Sequence, residues 1–206
     1  NVSMVTSHTL QVLHGTPYKD SPEFRDRWGY VTRWRLVPLD FSRIDGTHIF
    51  DVEEVAVASK DMSFEHYVEA RKYLFICDLC FNVDVFAPLK KFLTQNSIPI
   101  SSWVASIFKN VHKAPNSVQS LIASFARETV EELWESEEAL LSHYSDSKVY
   151  QKVVDGEIGG NVLFKHRVRM YTQSAETWVS AVFDLTQSLA REACGADSHP
   201  EIESEL

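Results

Sequence analysis

The sequence predicts a mostly helical chain that opens on a short β segment and continues as a helical C-terminal domain. Three observations carry the helix-and-strand reading. From Asp61 almost to the end, apolar residues recur at helical spacing. Pro99 and Pro115-Asn116 cut that stretch into helix-sized pieces. Ahead of it, residues 4 to 14 are rich in Val, Thr and Leu and stop at Gly15-Thr16-Pro17, the pattern of a strand and a turn.

Each element has its own signal. Ser21 followed by Pro22 predicts a capped short helix, because proline misses no backbone donor in a first turn. Thr32 to Leu36 reads as a short strand. "DFSRIDGTHIF" reads as loop, with Asp45-Gly46 as a turn. "DVEEVAVAS" alternates loosely and reads as a short strand or an extended segment. A first long helix is expected from Ser63 to Asn82, capped by Ser63 or Asp61. A second is expected over 85–95, with Pro88 in its first turn. A third begins after Pro99, capped by Ser101 or Ser102, and ends near Lys113. Residues 118 to 143 read as one long helix with a Glu-rich outer face. "DGEIGGN" reads as a turn, and "VLFKHRVRMY" fits helix or strand. A last helix is expected from Ala175 to Ala193, with Trp178, Val182, Leu185 and Leu189 on one face. The acidic tail after it reads as frayed. Two regions follow, 1–60 and 61–206.

Composition excludes several function classes. The 206 residues are 44% apolar and 24% charged, enough to build a core. A net charge of −9 disfavours a phosphate backbone as partner, and the short basic run "FKHRVR" reads as a solvated face. Three cysteines form no disulfide framework, which points to a reducing cytoplasmic setting. No run is long enough to span a bilayer, so a membrane partner is not expected. The chain starts at Asn1 on a β-like segment, which suggests a piece of a longer polypeptide.

The motif that most resembles a site is Cys77-x-x-Cys80. A redox pair of this spacing wants a helix N-terminus, where the dipole lowers a thiol pKa. These cysteines lie several turns into a predicted helix. A zinc site would need further ligands at matching spacing, and His143 and His166 are isolated. On the helical wheel Cys77 falls at the edge of the apolar arc and Cys80 about 60° further toward the polar side. Packing is the favoured reading. Arg71 and Asp78 fall inside the apolar arc, where a charge needs a partner. About two turns separate them, so each is expected to meet a partner on another element. They make either a structural ion pair or an anchor for an anionic substrate.

The order of several motifs resembles the C-terminal part of radical S-adenosylmethionine enzymes, especially the subgroup with a cobalamin-binding domain. The resemblance runs through "LHGTPYKDSPEFRDRWGYVTRWR" and "IFDVEEVAVASKDMSFEHYVEARKYLF", and more loosely through "GEIGGN". It covers residues 5 to 85 well. It implies that the short opening β segment is the last strand of a partial β/α barrel, ended by Gly15-Thr16-Pro17. Thr32-Arg33-Trp34-Arg35 and the helix start Met62, Ser63, Glu65, His66, Tyr67 and Arg71 would then follow. His14, Gly15 and Thr16 would lie nearest the cofactor, since barrel sites gather at strand ends. A plain strand-ending turn explains the same three residues. Arg33, Arg35 and Arg71 could hold a substrate carboxylate or phosphate, while for Arg33 and Arg35 surface salt bridges are the simpler reading.

The family's Cys-x-x-x-Cys-x-x-Cys is absent from these residues. The resemblance therefore implies a cap that shapes a small-molecule substrate's pocket and is inert alone. It binds no cofactor by itself. Its parent would use a [4Fe–4S] cluster, S-adenosylmethionine and, in that subgroup, cobalamin, and its partners would be the barrel and cobalamin domain of the same polypeptide. A stand-alone helical protein-interaction module is the alternative, in which five Trp and 12 Phe would line a partner groove. A Ser-His-Asp hydrolase is disfavoured, because nothing here resembles Gly-x-Ser-x-Gly.

Overall fold

The centre of the N-terminal part is a long antiparallel hairpin rather than a single opening strand. In the computed structural model, which describes residues 4 to 194, β1 (Val31–Ile44) pairs with β2 (Thr47–Ala58). Asp45 and Gly46 turn the chain with φ of 48° and 82°. This is the doubly left-handed geometry that Asp-Gly tolerates and that matches strand twist. The segment expected as loop is thus the end of the hairpin. The opening run 4–14 pairs with β2 only around Gln11, through Val12 N to Glu54 O at 2.8 Å and Ala56 N to Leu10 O at 2.9 Å.

The hairpin register carries two irregularities. Leu36 pairs with Val52 and Phe41 with Phe50, so five steps of β1 run against two of β2. Pro38 lacks a ladder donor, and Leu39 sits at φ 66°, so the extra residues loop out of the ladder there.

The chain divides into two compact units. One contains residues 8–71 and 126–165. It holds α1 (Pro17–Asp20), α2 (Pro22–Trp28), the hairpin, α7 (Glu137–Tyr144) and α8 (Ser147–Val154). Ser21 caps α2, accepting from Phe24 N at 3.2 Å, with Pro22 in the first turn. Alternation along the strands gives the hairpin two buried faces. Val55 and Val57 pack with Tyr67, Phe64 and Val68 from the start of α3 (Phe64–Cys80). Leu36 and Phe50 pack with Leu140 and Val153 from α7 and α8.

The expected single helix over 118–143 is instead two. The first, α6 (Asn116–Glu131), stops because Trp134 leaves the helix to exchange backbone hydrogen bonds with Trp34 of β1, at 2.7 and 2.8 Å. Ser136 then caps α7 by accepting from Ala139 N at 3.1 Å. Asp146 caps α8, a helix with no clear signal in the sequence.

Of the described residues, the other unit contains 4–7, 72–125 and 166–194. Its described helices include α4 (Ala87–Gln95), α5 (Ile100–Asn110) and α10 (Ala175–Cys194), and it takes the second half of α9 (Val162–Gln173). The ambiguous "VLFKHRVRMY" is therefore helix. Pro99, not Ser101 or Ser102, occupies the N-cap of α5. Phe75 stacks on Phe125 at 4.2 Å, and Phe86 meets Trp103 edge-on at 6.1 Å. The buried Trp103 indole donates to Thr186 Oγ1 at 2.7 Å. Carbonyls at and just past the end of α3 accept from side chains. Tyr171 Oη donates to Leu79 O at 2.6 Å, and Lys90 Nζ to Phe81 O at 2.9 Å. The acidic tail expected to fray lies outside the described residues. Among those, no helix is long and apolar enough to cross a membrane.

Candidate functional site

The hairpin places charged side chains on both of its buried faces, and these clusters are the candidate site. On the first face Arg35 stands opposite Glu53 across the ladder. Its Nε donates to Glu53 Oε1 at 2.6 Å, and its Nη1 donates to Glu132 Oε1 at 3.0 Å. Glu132 follows the end of α6, so the ion pair ties the same strap to β1 that Trp134 ties by backbone. Gln11 donates its amide to Glu53 from the paired opening segment. Arg71 of α3 adds a second positive charge that acts on Glu132.

Burial sets the protonation of this face. It pushes the Glu132 carboxyl above the ordinary carboxylate range, and the charges of Arg35 and Arg71 only partly offset it. Burial also works against the Arg35 cation, but Glu132 and Glu53 outweigh it and keep the guanidinium charged. Tyr67 is 5% exposed and its hydroxyl has no hydrogen-bond partner. Tyr144 of α7 is raised by burial first and by the Glu132 charge second.

On the opposite face Glu54 is the hub. It is 7% exposed. Lys19 Nζ donates to it at 2.5 Å, Thr32 Oγ1 at 2.6 Å and Arg25 Nη2 at 3.5 Å. Burial alone would raise this carboxyl. The bonds from Lys19 and Thr32, with the charges of Lys19 and Arg25, outweigh burial and hold it below its ordinary value. The Glu54 cluster thus binds α1, α2 and the hairpin together by charge.

His14, Gly15 and Thr16 lie in an exposed turn just before α1. Gly15 adopts φ 81°, and its N–H donates to Asp20 Oδ2 at 2.6 Å. Thr16 Oγ1 donates to Leu13 O at 2.6 Å, and the His14 ring stands 3.8 Å from Asp20. All the polar groups named are used within the turn, as a turn that also caps a helix requires. Arg33 donates from Nη1 to the carbonyl of Thr32 at 2.9 Å.

Arg71 and Asp78 belong to different clusters. Arg71 acts on Glu132, as above. Asp78 sits 3.4 Å from Arg167 Nη1 of α9 and accepts from Asn82 Nδ2 at 3.1 Å. Each of the two charges on the apolar arc thus meets an opposite charge from another element.

Cys77 and Cys80 are free thiols, both buried. Cys80 is fully enclosed, so the wheel placed it wrongly toward the polar side. The second half of α3 is covered nearly all round, at Phe75, Ile76, Cys77, Leu79 and Cys80, which a two-sided wheel cannot represent. Burial raises both thiols, with smaller contributions from Asp78 at Cys77 and from Cys77 at Cys80. A raised thiol is a poor nucleophile and a poor ligand, which agrees with packing. Among the described residues no group of three or more His, Cys, Asp or Glu side chains is placed to hold a metal ion.

Sequence reasoning found Arg35 and Arg71 but missed Glu53, Glu54, Glu132, Lys19 and Tyr67's environment. One signal was available. "TRWR" and "EE" lie on either side of an Asp-Gly turn, which suggests paired strands with opposite charges. Counting back from the turn without the bulge, however, sets Arg35 opposite Ala56 instead of Glu53. No known protein-family model matches this chain, and no curated protein sequence matches it.

Proposed function

We propose that this chain is the C-terminal, substrate-shaping region of a radical S-adenosylmethionine enzyme of the cobalamin-binding kind, and that it is not catalytic alone. The motif order through residues 5 to 85 supports the family. One structural observation carries the reading further. The opening segment pairs with β2 along one edge, and Leu10, Leu13 and Met4 stand 38%, 54% and 64% exposed. Gln11 lies between the two bonds to β2, so its own N–H and C=O point away from that strand. An extended run with apolar side chains in water and a free edge is a surface made to be covered.

In this reading the missing cover is the barrel, which would make the radical from S-adenosylmethionine bound at a [4Fe–4S] cluster. The residues of this chain would exclude water and orient the substrate. The hairpin suits that role, because its ion-paired faces fix it rigidly to the helices around it. The test is the coding sequence upstream of Asn1. The proposal expects an in-frame Cys-x-x-x-Cys-x-x-Cys. An in-frame stop codon shortly before Asn1, with no such motif after it, contradicts the proposal.

A further inference from the structure

We propose that the pocket between β1 and α7 binds an arginine side chain presented by a partner polypeptide. The cavity measures about 660 Å³, the size of a ligand site, and lies within one compact unit. Its apolar wall is the Trp34 indole of β1 and Leu141 of α7, both half-buried. Trp34 is fixed there by its backbone exchange with Trp134, at 2.7 and 2.8 Å. Glu138, Ser142 and Ser145 recur at helical spacing, so one face of α7 lines the cavity, with Glu137 beside it. Glu137, Glu138 and Ser142 are exposed, so the cavity opens to solvent. A site for a free small molecule buries most of its ligand, which an open cavity does not. A side chain carried in on a longer chain needs no such enclosure.

Charge and surface chemistry select the occupant. Among the described residues no cation forms an ion pair with Glu137 or Glu138. Both lie in the first turn of α7, whose dipole favours their charge without neutralising it. The Trp34 ring already serves one cation, Lys19 Nζ at 5.2 Å from its centroid. Lys19 is spent on Glu54 and does not line the cavity, so the indole surface facing the cavity is open to another cation. Two of the hydroxyls are used: Ser136 accepts from Ala139 N at 3.1 Å, and Ser145 donates to Leu141 O at 2.7 Å. Ser142 makes no such bond among the described residues and can accept one. A guanidinium matches all of this. Its plane lies on an indole, its fork of N–H donors reaches carboxylates, and its stem covers Leu141. A lysine brings a charge but no plane, and an acidic segment is repelled.

The test does not depend on the radical-enzyme reading. The Trp34 indole N–H and the Ser142 amide are followed by NMR while the peptide acetyl-Leu-Arg-Leu-amide is added to the whole chain at low salt. Both resonances should shift and saturate. Citrulline in place of the peptide's arginine keeps the shape, removes the charge and should weaken binding about tenfold, and lysine there about threefold. Glu137→Gln and Glu138→Gln together should weaken the arginine peptide about fivefold, and Trp34→Phe about threefold. Both carboxylates are exposed, so the double variant decides the matter if Trp34→Phe does not fold. The proposal is overturned if no saturation occurs, or if the citrulline or lysine peptide binds as tightly. Free arginine amide binding as tightly as the peptide overturns it too, because the occupant would then be a small molecule. So does a folded double variant with unchanged affinity, which would leave Glu137 and Glu138 as helix-end charges alone.

Discussion

Replacing Glu54 is the most informative single perturbation of the fold. Its carboxylate gathers two short charge-assisted bonds, from Lys19 at 2.5 Å and Thr32 at 2.6 Å, and a longer one from Arg25 at 3.5 Å. A hydrogen bond to a charged group contributes about 1.5–3 kcal/mol. Lys19 and Arg25 are 21% and 33% exposed and regain water when released, so the full sum is not lost. Glu54→Ala should therefore cost about 3 kcal/mol, and Glu54→Gln somewhat less, because the amide oxygen still accepts from Thr32. With a urea slope of about 2 kcal/mol/M, the Ala midpoint falls by roughly 1.5 M at unchanged slope. The pH dependence has a definite sign. The carboxyl is held below its unfolded value, so its contribution is complete above the ordinary carboxylate range and is lost as pH falls through the folded value. The gap between wild type and Glu54→Gln should close in acid. An Ala variant that unfolds within about 0.3 M of wild type, or a gap that is equally wide in acid, refutes the reasoning.

Other expectations follow from single residues. Glu132 has the opposite sign from Glu54: its raised carboxyl burdens the fold at neutral pH, and acid relieves it. Glu132→Gln should be at least as stable as wild type at neutral pH in urea unfolding, with the advantage shrinking on acidification; a loss above about 1 kcal/mol contradicts this. Leu39 is 83% exposed at φ 66°, so Leu39→Gly should raise the urea midpoint by the equivalent of up to about 1 kcal/mol, and a fall counts against strain there. Trp103→Phe removes the buried bond to Thr186 and leaves a smaller ring in its place, and should cost about 2 kcal/mol in thermal unfolding, whereas a neutral change would show that the bond Thr186 Oγ1 already donates to Val182 O suffices. In the native protein, the Cys80 thiol should resist a water-soluble thiol reagent until denaturant is added, and prompt labelling would argue against its burial.

Local signals in this sequence were legible wherever a side chain acts on its own neighbourhood. Ser21-Pro22 start a helix as expected, Pro88 falls in the first turn of α4, and Asp45-Gly46 make a turn. The second half of the expected 118–143 helix failed because its break is set by Trp34, a hundred residues away in sequence, whose backbone competes for Trp134. The hairpin was seen only in part for a similar reason. Its outer half is short of apolar alternation, and the bulge at Pro38-Leu39 shifts every later pairing. The candidate site was legible only as arginines. Arg35 and Arg71 were visible as cations needing partners, but those partners come from β2 and from the end of α6, and only the bulged register brings Glu53 to Arg35.

The most direct measurement is 5′-deoxyadenosine formation by the whole polypeptide that contains these residues, reconstituted anaerobically with iron and sulfide and given S-adenosylmethionine and reductant. The account predicts that the nucleoside forms and that an iron–sulfur spectrum accompanies it, while residues 1 to 206 alone yield neither. A whole polypeptide that assembles no cluster and leaves S-adenosylmethionine intact would contradict it.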